Sequence, residues 1–131
     1  PGGAVVLVTP CPEGVTHAHP ELLDAGGLGR PEIAARVAEG RFRDLVAASV
    51  AASVAEVTER AAVFLVSPGI APEEARRLGL ALCATPAEAF ARAAAHVGRA
   101  EDIAVLRAAA MLVPQVEGQP RRPPAPQAGG R

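Results

Sequence analysis

Hydrophobic positions along the chain fall into short continuous runs, separated by stretches with helical spacing. "AVVLV" (4–8) is a β-branched run closed by Thr9 and Pro10, and reads as a buried strand. "AAVFLVS" (61–67) reads as a second strand, "LALCA" (80–84) as a weaker third and "DIAVL" (102–106) as a fourth. "AMLVP" (110–114) fits an edge strand. Between the first two runs, residues 43–60 carry Val46, Val50, Val54 and Val57 at helical spacing. That stripe predicts a long helix with its valines against the sheet, where a carboxylate in place of Val50 would be costly.

Three further helices share one punctuation. In "RPEIAARVAEG" Pro31 stands at the start and Gly40 just past the end. In "APEEARRLG" Pro72 opens, Glu73 and Glu74 fill the first turn, Arg76 and Arg77 the last, and Gly79 stops. In "TPAEAFARAAAHVG" Thr85 caps, Pro86 opens, Glu88 completes a capping box, His96 lies in the last turn and Gly98 ends. Proline suits a first turn because its missing N–H has no partner there. Early acids and late bases match the helix dipole, and glycine tolerates the left-handed stop. Residues 20–24 suit a single helical turn, stopped by "AGGLG" (25–29).

Strands alternating with helices predict an α/β fold: a three-layer, Rossmann-like domain over residues 1–115. Its sheet is expected to be mainly parallel, of four to five strands with helices on both faces, and with runs 4–8 and 62–66 central. Residues 116–131, "VEGQPRRPPAPQAGGR", hold too little apolar surface to offset the entropy of ordering and read as a disordered tail. The opening "PGGAVVLV" reads as a piece cut from a longer protein just before a strand.

Composition narrows the chemistry. Half of the residues are hydrophobic, yet the only aromatics are three phenylalanines, so the core is aliphatic and offers no stacking platform for nucleic acid. A net charge of −1 gives no pull towards nucleic acid or an anionic membrane. Cys11 and Cys83 fit neither a zinc spacing nor a disulfide framework, and no apolar run reaches membrane-spanning length, so a cytoplasmic protein is expected. All thirteen basic residues are arginine. Without lysine, no Schiff base or amine-tethered cofactor can form on this chain.

The reactive side chains gather after the first strand, in "VTPCPEGVTHAHPELL" (8–23). His17 and His19 form H-x-H, which on an extended segment can clamp a metal, with Cys11 and Glu13 the only local further ligands. The same histidines could equally line a substrate pocket or be structural. Cys11 would need a basic neighbour or a helix N-terminus to be an activated thiol; otherwise it is a buried, inert cysteine, and Cys83 reads as core. Glu13 and Gly14 stand where open α/β sheets bind ligands, beyond the carboxyl ends of the strands. Gly14 allows close backbone approach, Glu13 and Thr16 offer hydrogen bonds and His17 a titratable donor. The alternative is an ordinary turn. "GGLG" (26–29) lacks the dinucleotide-binding spacing.

Four stretches, "GGAVVLVTPCPEGVTHAH", "RPEIAARVAEGRFRD", "ERAAVFLVSPGIAPEEARRLGL" and "ATPAEAFARAAAHVGRAEDIAVL", taken in order resemble the carboxyl-terminal domain of the nickel-dependent lactate racemase family. The likeness covers residues 2–114. It implies a two-domain enzyme that inverts the hydroxyl-bearing carbon of a 2-hydroxy acid, with a nickel-pincer nucleotide taking a hydride and returning it to the other face. In that family the tethering lysine, the nickel-ligating histidine and the acid–base histidine pair belong to the amino-terminal domain. The carboxyl-terminal domain closes the cleft. Residues 11–16 match a cleft-facing segment of the family, and His17 and His19 lie just beyond it. Family members often carry a lysine within or before the long helix, where this chain reads "DLVAASVAASV" (44–54); that departure points to another 2-hydroxy acid or a divergent reaction.

The resemblance therefore implies a substrate-covering domain partnered by a missing amino-terminal catalytic domain, with no cofactor held by this chain itself. Its substrate contacts are expected from Cys11, Glu13, Gly14, Thr16, His17 and His19. Two other readings stay open: a stand-alone, non-catalytic α/β ligand-binding or interaction module, and a zinc or nickel carrier using Cys11, His17 and His19.

Overall fold

A computed structural model describes residues 2–15, 17–98 and 102–111. The chain divides into two compact units, Pro1–Ala100 and Glu101–Arg131. The first is α/β. Strand β1 (Gly3–Val8) leads through α1 (Glu21–Asp24), α2 (Arg30–Ala38) and α3 (Leu45–Thr58) to β2 (Ala61–Val66). Then follow α4 (Pro72–Arg77), β3 (Ala81–Leu82) and α5 (Pro86–Val97). Of the second unit, residues 102–106 are irregular and Ala109–Met111 form a 3-10 turn.

The sheet is parallel, in the order β1-β2-β3. β1 and β2 run in register from Gly3 opposite Ala61 to Val8 opposite Val66. β2 is central, as expected of residues 62–66. β1 is not; among the described residues it forms an edge, which corrects the expectation that residues 4–8 lie inside the sheet. A run apolar on both faces fits a central strand and an uncovered edge equally, because the pattern reports side chains and not ladder partners. Three strands stand among the described residues, not four or five. The apolar run 102–106 has no ladder, and a short run becomes a strand only where an edge supplies hydrogen bonds. Of the run 110–114, Ala110 and Met111 belong to the 3-10 turn and the rest lies outside the described residues, as does the stretch 116–131.

The helix punctuation holds. Thr85 Oγ1 accepts from the Glu88 N–H at 3.1 Å, while the Glu88 carboxylate accepts from the Ala84 N–H at 2.9 Å. The Glu74 carboxylate accepts from the Ala71 N–H at 2.9 Å and closes the start of α4. Pro31, Pro72 and Pro86 all stand in first turns. Gly40, Gly79 and Gly98 adopt φ of +67°, +73° and +74°, where a side chain would be strained.

The core forms two clusters. One is helical: Leu22 and Ala25 of the α1 region, Ile33 of α2, Phe42, and Ala47, Ala48, Ala51 and Ala55 of α3. The other joins Phe64 of β2 and Cys83 to Ala89 and Ala93 of α5. Here α3 departs from its valine pattern. Ala47, Ala48, Ala51 and Ala55 are buried, Ala47 at 1% exposed, whereas Val46, Val50 and Val57 are exposed, Val50 at 42%, and Val54 is half-buried. Small side chains let helix axes approach closely, so the alanine face meets α1 and α2, and Val46, Val50 and Val57 turn away. "GGLG" is a packing device: a Cβ on Gly26 would lie 2.1 Å from the Arg77 carbonyl oxygen. The loop it forms roofs a cavity of about 170 Å³ lined by Leu22, Ala55 and Leu78 among others.

This arrangement predicts opposite outcomes for neighbouring positions on α3. Ala47→Leu should lower unfolding free energy by about 1–3 kcal/mol through overpacking. Val50→Asp should cost under about 1 kcal/mol, since that side chain is already wet. Urea unfolding of both variants tests the assignment, and the reverse ranking would refute it.

Candidate functional site

The carboxyl rim of the sheet is where the sequence placed its chemistry. The β1–β2 ladder runs one residue past β1, with the Thr9 N–H donating to Val66 O at 3.1 Å. Pro10 then ends it, having no N–H to give. The chain reverses at once: the Gly14 N–H donates to Cys11 O at 2.9 Å across Pro12 and Glu13. Cys11 and Gly14 both take positive φ, +37° and +70°. For Gly14 this costs nothing; for Cys11 it is a strained conformation held by its surroundings.

Those surroundings are the loop after β2. Ser67 Oγ donates to Pro10 O at 3.3 Å and accepts from the Gly69 N–H at 3.3 Å. Gly69 approaches so closely that a Cβ there would sit 1.7 Å from the Cys11 carbonyl oxygen. A Cβ on Gly14 would meet the Gly69 oxygen at 3.4 Å, an ordinary contact. Two loops, one from each parallel strand, thus touch backbone to backbone over the rim.

On this platform Glu13 is exposed, and His17 is exposed further along the loop. Cys11 is half-buried, its thiol 3.6 Å from Thr9 Oγ1. Thr16 lies outside the described residues. Cys11, Glu13 and Gly14 therefore share one tight turn. Cys83, expected in the core, is buried there.

His19 has a different engagement. Its Nδ1 donates to Asp44 Oδ2 at 2.6 Å, since an ionised carboxylate only accepts. Asp44 is the N-cap of α3: its Oδ1 accepts from the Val46 and Ala47 N–H groups, each at 3.0 Å. Glu21 Oε2 completes the knot, accepting from the Arg43 and Asp44 N–H groups at 3.0 and 3.1 Å. The backbone bond from Ala47, followed by the hydrogen bond from His19, holds the Asp44 carboxyl below its ordinary value. His19 thereby fastens the end of the rim loop to the first turn of α3.

Several of these residues escaped the sequence reading. Asp44 had a signal, an aspartate just before an apolar helical run, which is an N-cap signature. Ser67 and Gly69 had only the ordinary turn signature of "SPG". Nothing local marked Glu21 as a backbone acceptor. On the far side of the sheet Arg92 lies over Phe64, 5.5 Å from the ring centre, and donates to Leu82 O at 3.2 Å. His96, in the last turn of α5, is exposed and sits edge-on to the same ring at 6.4 Å.

No group of three or more His, Cys, Asp or Glu placed to hold a metal ion occurs among the described residues. No helix among them is long and apolar enough to cross a membrane. Comparisons with protein-family models, with curated proteins and with solved structures gave no match.

Two outcomes check the site. Gly69→Ala should destabilise the fold by about 3 kcal/mol, because backbone must move; Gly14→Ala should cost about 1–2 kcal/mol, from its positive φ alone. Equal costs would show that the loop contact is slack. For the cap, folding lowers the Asp44 pKa, so its stabilisation is present at neutral pH and lost as pH falls through the folded value. The Tm gap between the native chain and Asp44→Asn should therefore close on acidification below about pH 4. A gap independent of pH would remove the ionised carboxylate from the explanation.

Proposed function

We propose that this chain is the substrate-covering carboxyl-terminal domain of a lactate-racemase-like isomerase acting on a 2-hydroxy acid. The observation that supports the reading best is the rim platform: residues 11–14 locked against Gly69, with Glu13 exposed at the carboxyl end of a parallel sheet. The finer architecture belongs to the same proposal, namely a three-layer, Rossmann-like sheet of four to five strands in the intact protein. So does a cytoplasmic location.

On this reading the rim turn presents polar groups to a small anion held by the missing amino-terminal domain. The Glu13 carboxylate accepts from the substrate hydroxyl, and His17 donates to the substrate carboxylate. Thr16 adds a hydroxyl in the same segment. Cys11 and His19 take part indirectly: Cys11 shapes the turn, and His19 fixes the loop through Asp44. Closure of such a platform over the cleft would exclude water from the reacting carbon.

The resemblance also implies a nickel-pincer nucleotide, which would serve as hydride acceptor and donor. This chain does not fit that group. It has no lysine for the tether. The nucleotide on this proposal is carried wholly by the partner domain.

Titration of the 131-residue chain with a 2-hydroxycarboxylate, followed by amide NMR, tests the first step. Shifts confined to Gly14, Val15 and Gly69 in the millimolar range are expected, and their absence would count against the substrate role. In the enzyme containing both domains, Glu13→Ala or His17→Ala should lower kcat/KM at least about tenfold, equivalent to about 1.4 kcal/mol of transition-state stabilisation. The Tm of the chain should stay nearly unchanged in both variants. Normal turnover with a collapsed fold would make the loop purely structural and favour the non-catalytic module.

A further inference from the structure

We propose that the free edge of β1 is an interface between two copies of this chain, which join their sheets by antiparallel β1–β1 pairing. The inference is independent of the substrate role above. Among the described residues no strand pairs with the outer edge of β1. The Thr9 N–H points to β2, and backbone groups alternate along a strand, so Ala4, Val6 and Val8 direct their N–H and C=O groups outward. The strand itself carries none of the usual protection against strand addition. "GAVVLV" contains no charge and no proline, and its four bulky side chains are exposed, Val8 at 58%.

The helix beside it is equally bare. Arg92 marks the flank of α5 that faces β2 and β3, through Phe64 and Leu82 O. Phe90 and Val97 lie on the opposite flank, towards β1, and both are exposed, Phe90 at 50%. Val6 and Val8 stand opposite Phe64 and Val66 in the ladder, so they share the α5 face. The edge and this flank together make one apolar side to the domain.

A second copy fits that side by symmetry. A twofold axis perpendicular to the sheet at Val6 makes Val6 exchange both backbone hydrogen bonds with its counterpart. Ala4 and Val8 exchange theirs in the same way, and all three outward residues are satisfied. The two α5 helices then meet on one face, Phe90 towards Phe90. The uncharged strand meets itself without like-charge conflict. The apolar surface covered is on the order of 500 Å² per copy, roughly 1,000 Å² in the pair, at the lower bound for a specific interface.

Light scattering after gel filtration of the 131-residue chain, at up to about 100 μM, tests the pairing. The expected mass is twice the 13.3 kDa of one chain. Val6→Pro removes an outward N–H that β2 does not use, and Val8→Lys adds a charge at the edge. Each should give a monomer with unchanged circular dichroism, and Val8→Lys decides alone if the proline variant unfolds. In a Cys11→Ser, Cys83→Ser background, Val5→Cys with Leu7→Cys should crosslink two chains, because these residues face each other across the axis without intervening hydrogen bonds. A monomeric native chain, as expected if its own second unit or another domain occupies the edge, would overturn the proposal. So would a pair that survives both edge variants, open-ended aggregation, or failure of the cysteines to crosslink.

Discussion

The contact of Gly69 with the Cys11 carbonyl is the constraint on which the rim depends. Two loops from neighbouring parallel strands can meet backbone to backbone only if one of them has no side chain at the meeting point. Ser67 then serves both loops, donating to Pro10 O and accepting from the Gly69 N–H. Cys11 is held at positive φ as a result, a conformation few residues adopt unless packing over-determines it. The exposed Glu13 owes its place to this backbone contact.

A second knot sits at the other end of the same loop. Asp44 caps α3 with one oxygen and accepts from His19 with the other, while Glu21 accepts two backbone N–H groups just upstream. The loop between β1 and α1 is therefore tied at Cys11 to the strand layer and at His19 to the helical cluster. Between these ties Glu13 and His17 are exposed, while Val15 packs against the helical cluster.

Much of the helical framework was legible because its signals are local. Pro72, Thr85 with Glu88, and the glycines at 40, 79 and 98 each act within one turn, so sequence alone locates them. The buried face of α3 was not legible. Valines at 46, 50, 54 and 57 and alanines at 47, 48, 51 and 55 are both spaced for a helix. Hydrophobicity favours the valines, and only the closeness of neighbouring helices selects the alanines. The placement of β1 at an edge was hidden for a similar reason, since ladder partners leave no trace in a six-residue apolar run. At the rim, the turn of Cys11, Glu13 and Gly14 lay where a strand's carboxyl end predicts it. The bond from His19 to Asp44 spans a distance in sequence that no spacing argument reaches.

The single partnership of β1 also bears on how the chain folds. Among the described residues β1 pairs only with β2, and all of α1, α2 and α3 lies between them in sequence. The sheet therefore closes a long loop at its first step, a large entropic cost met before any ladder bond returns it. The helical cluster needs no such closure, since Leu22, Ile33 and Ala47 are near one another in the chain. The contacts among α1, α2 and α3 therefore carry the smaller closure cost, and the β1–β2 ladder the larger one.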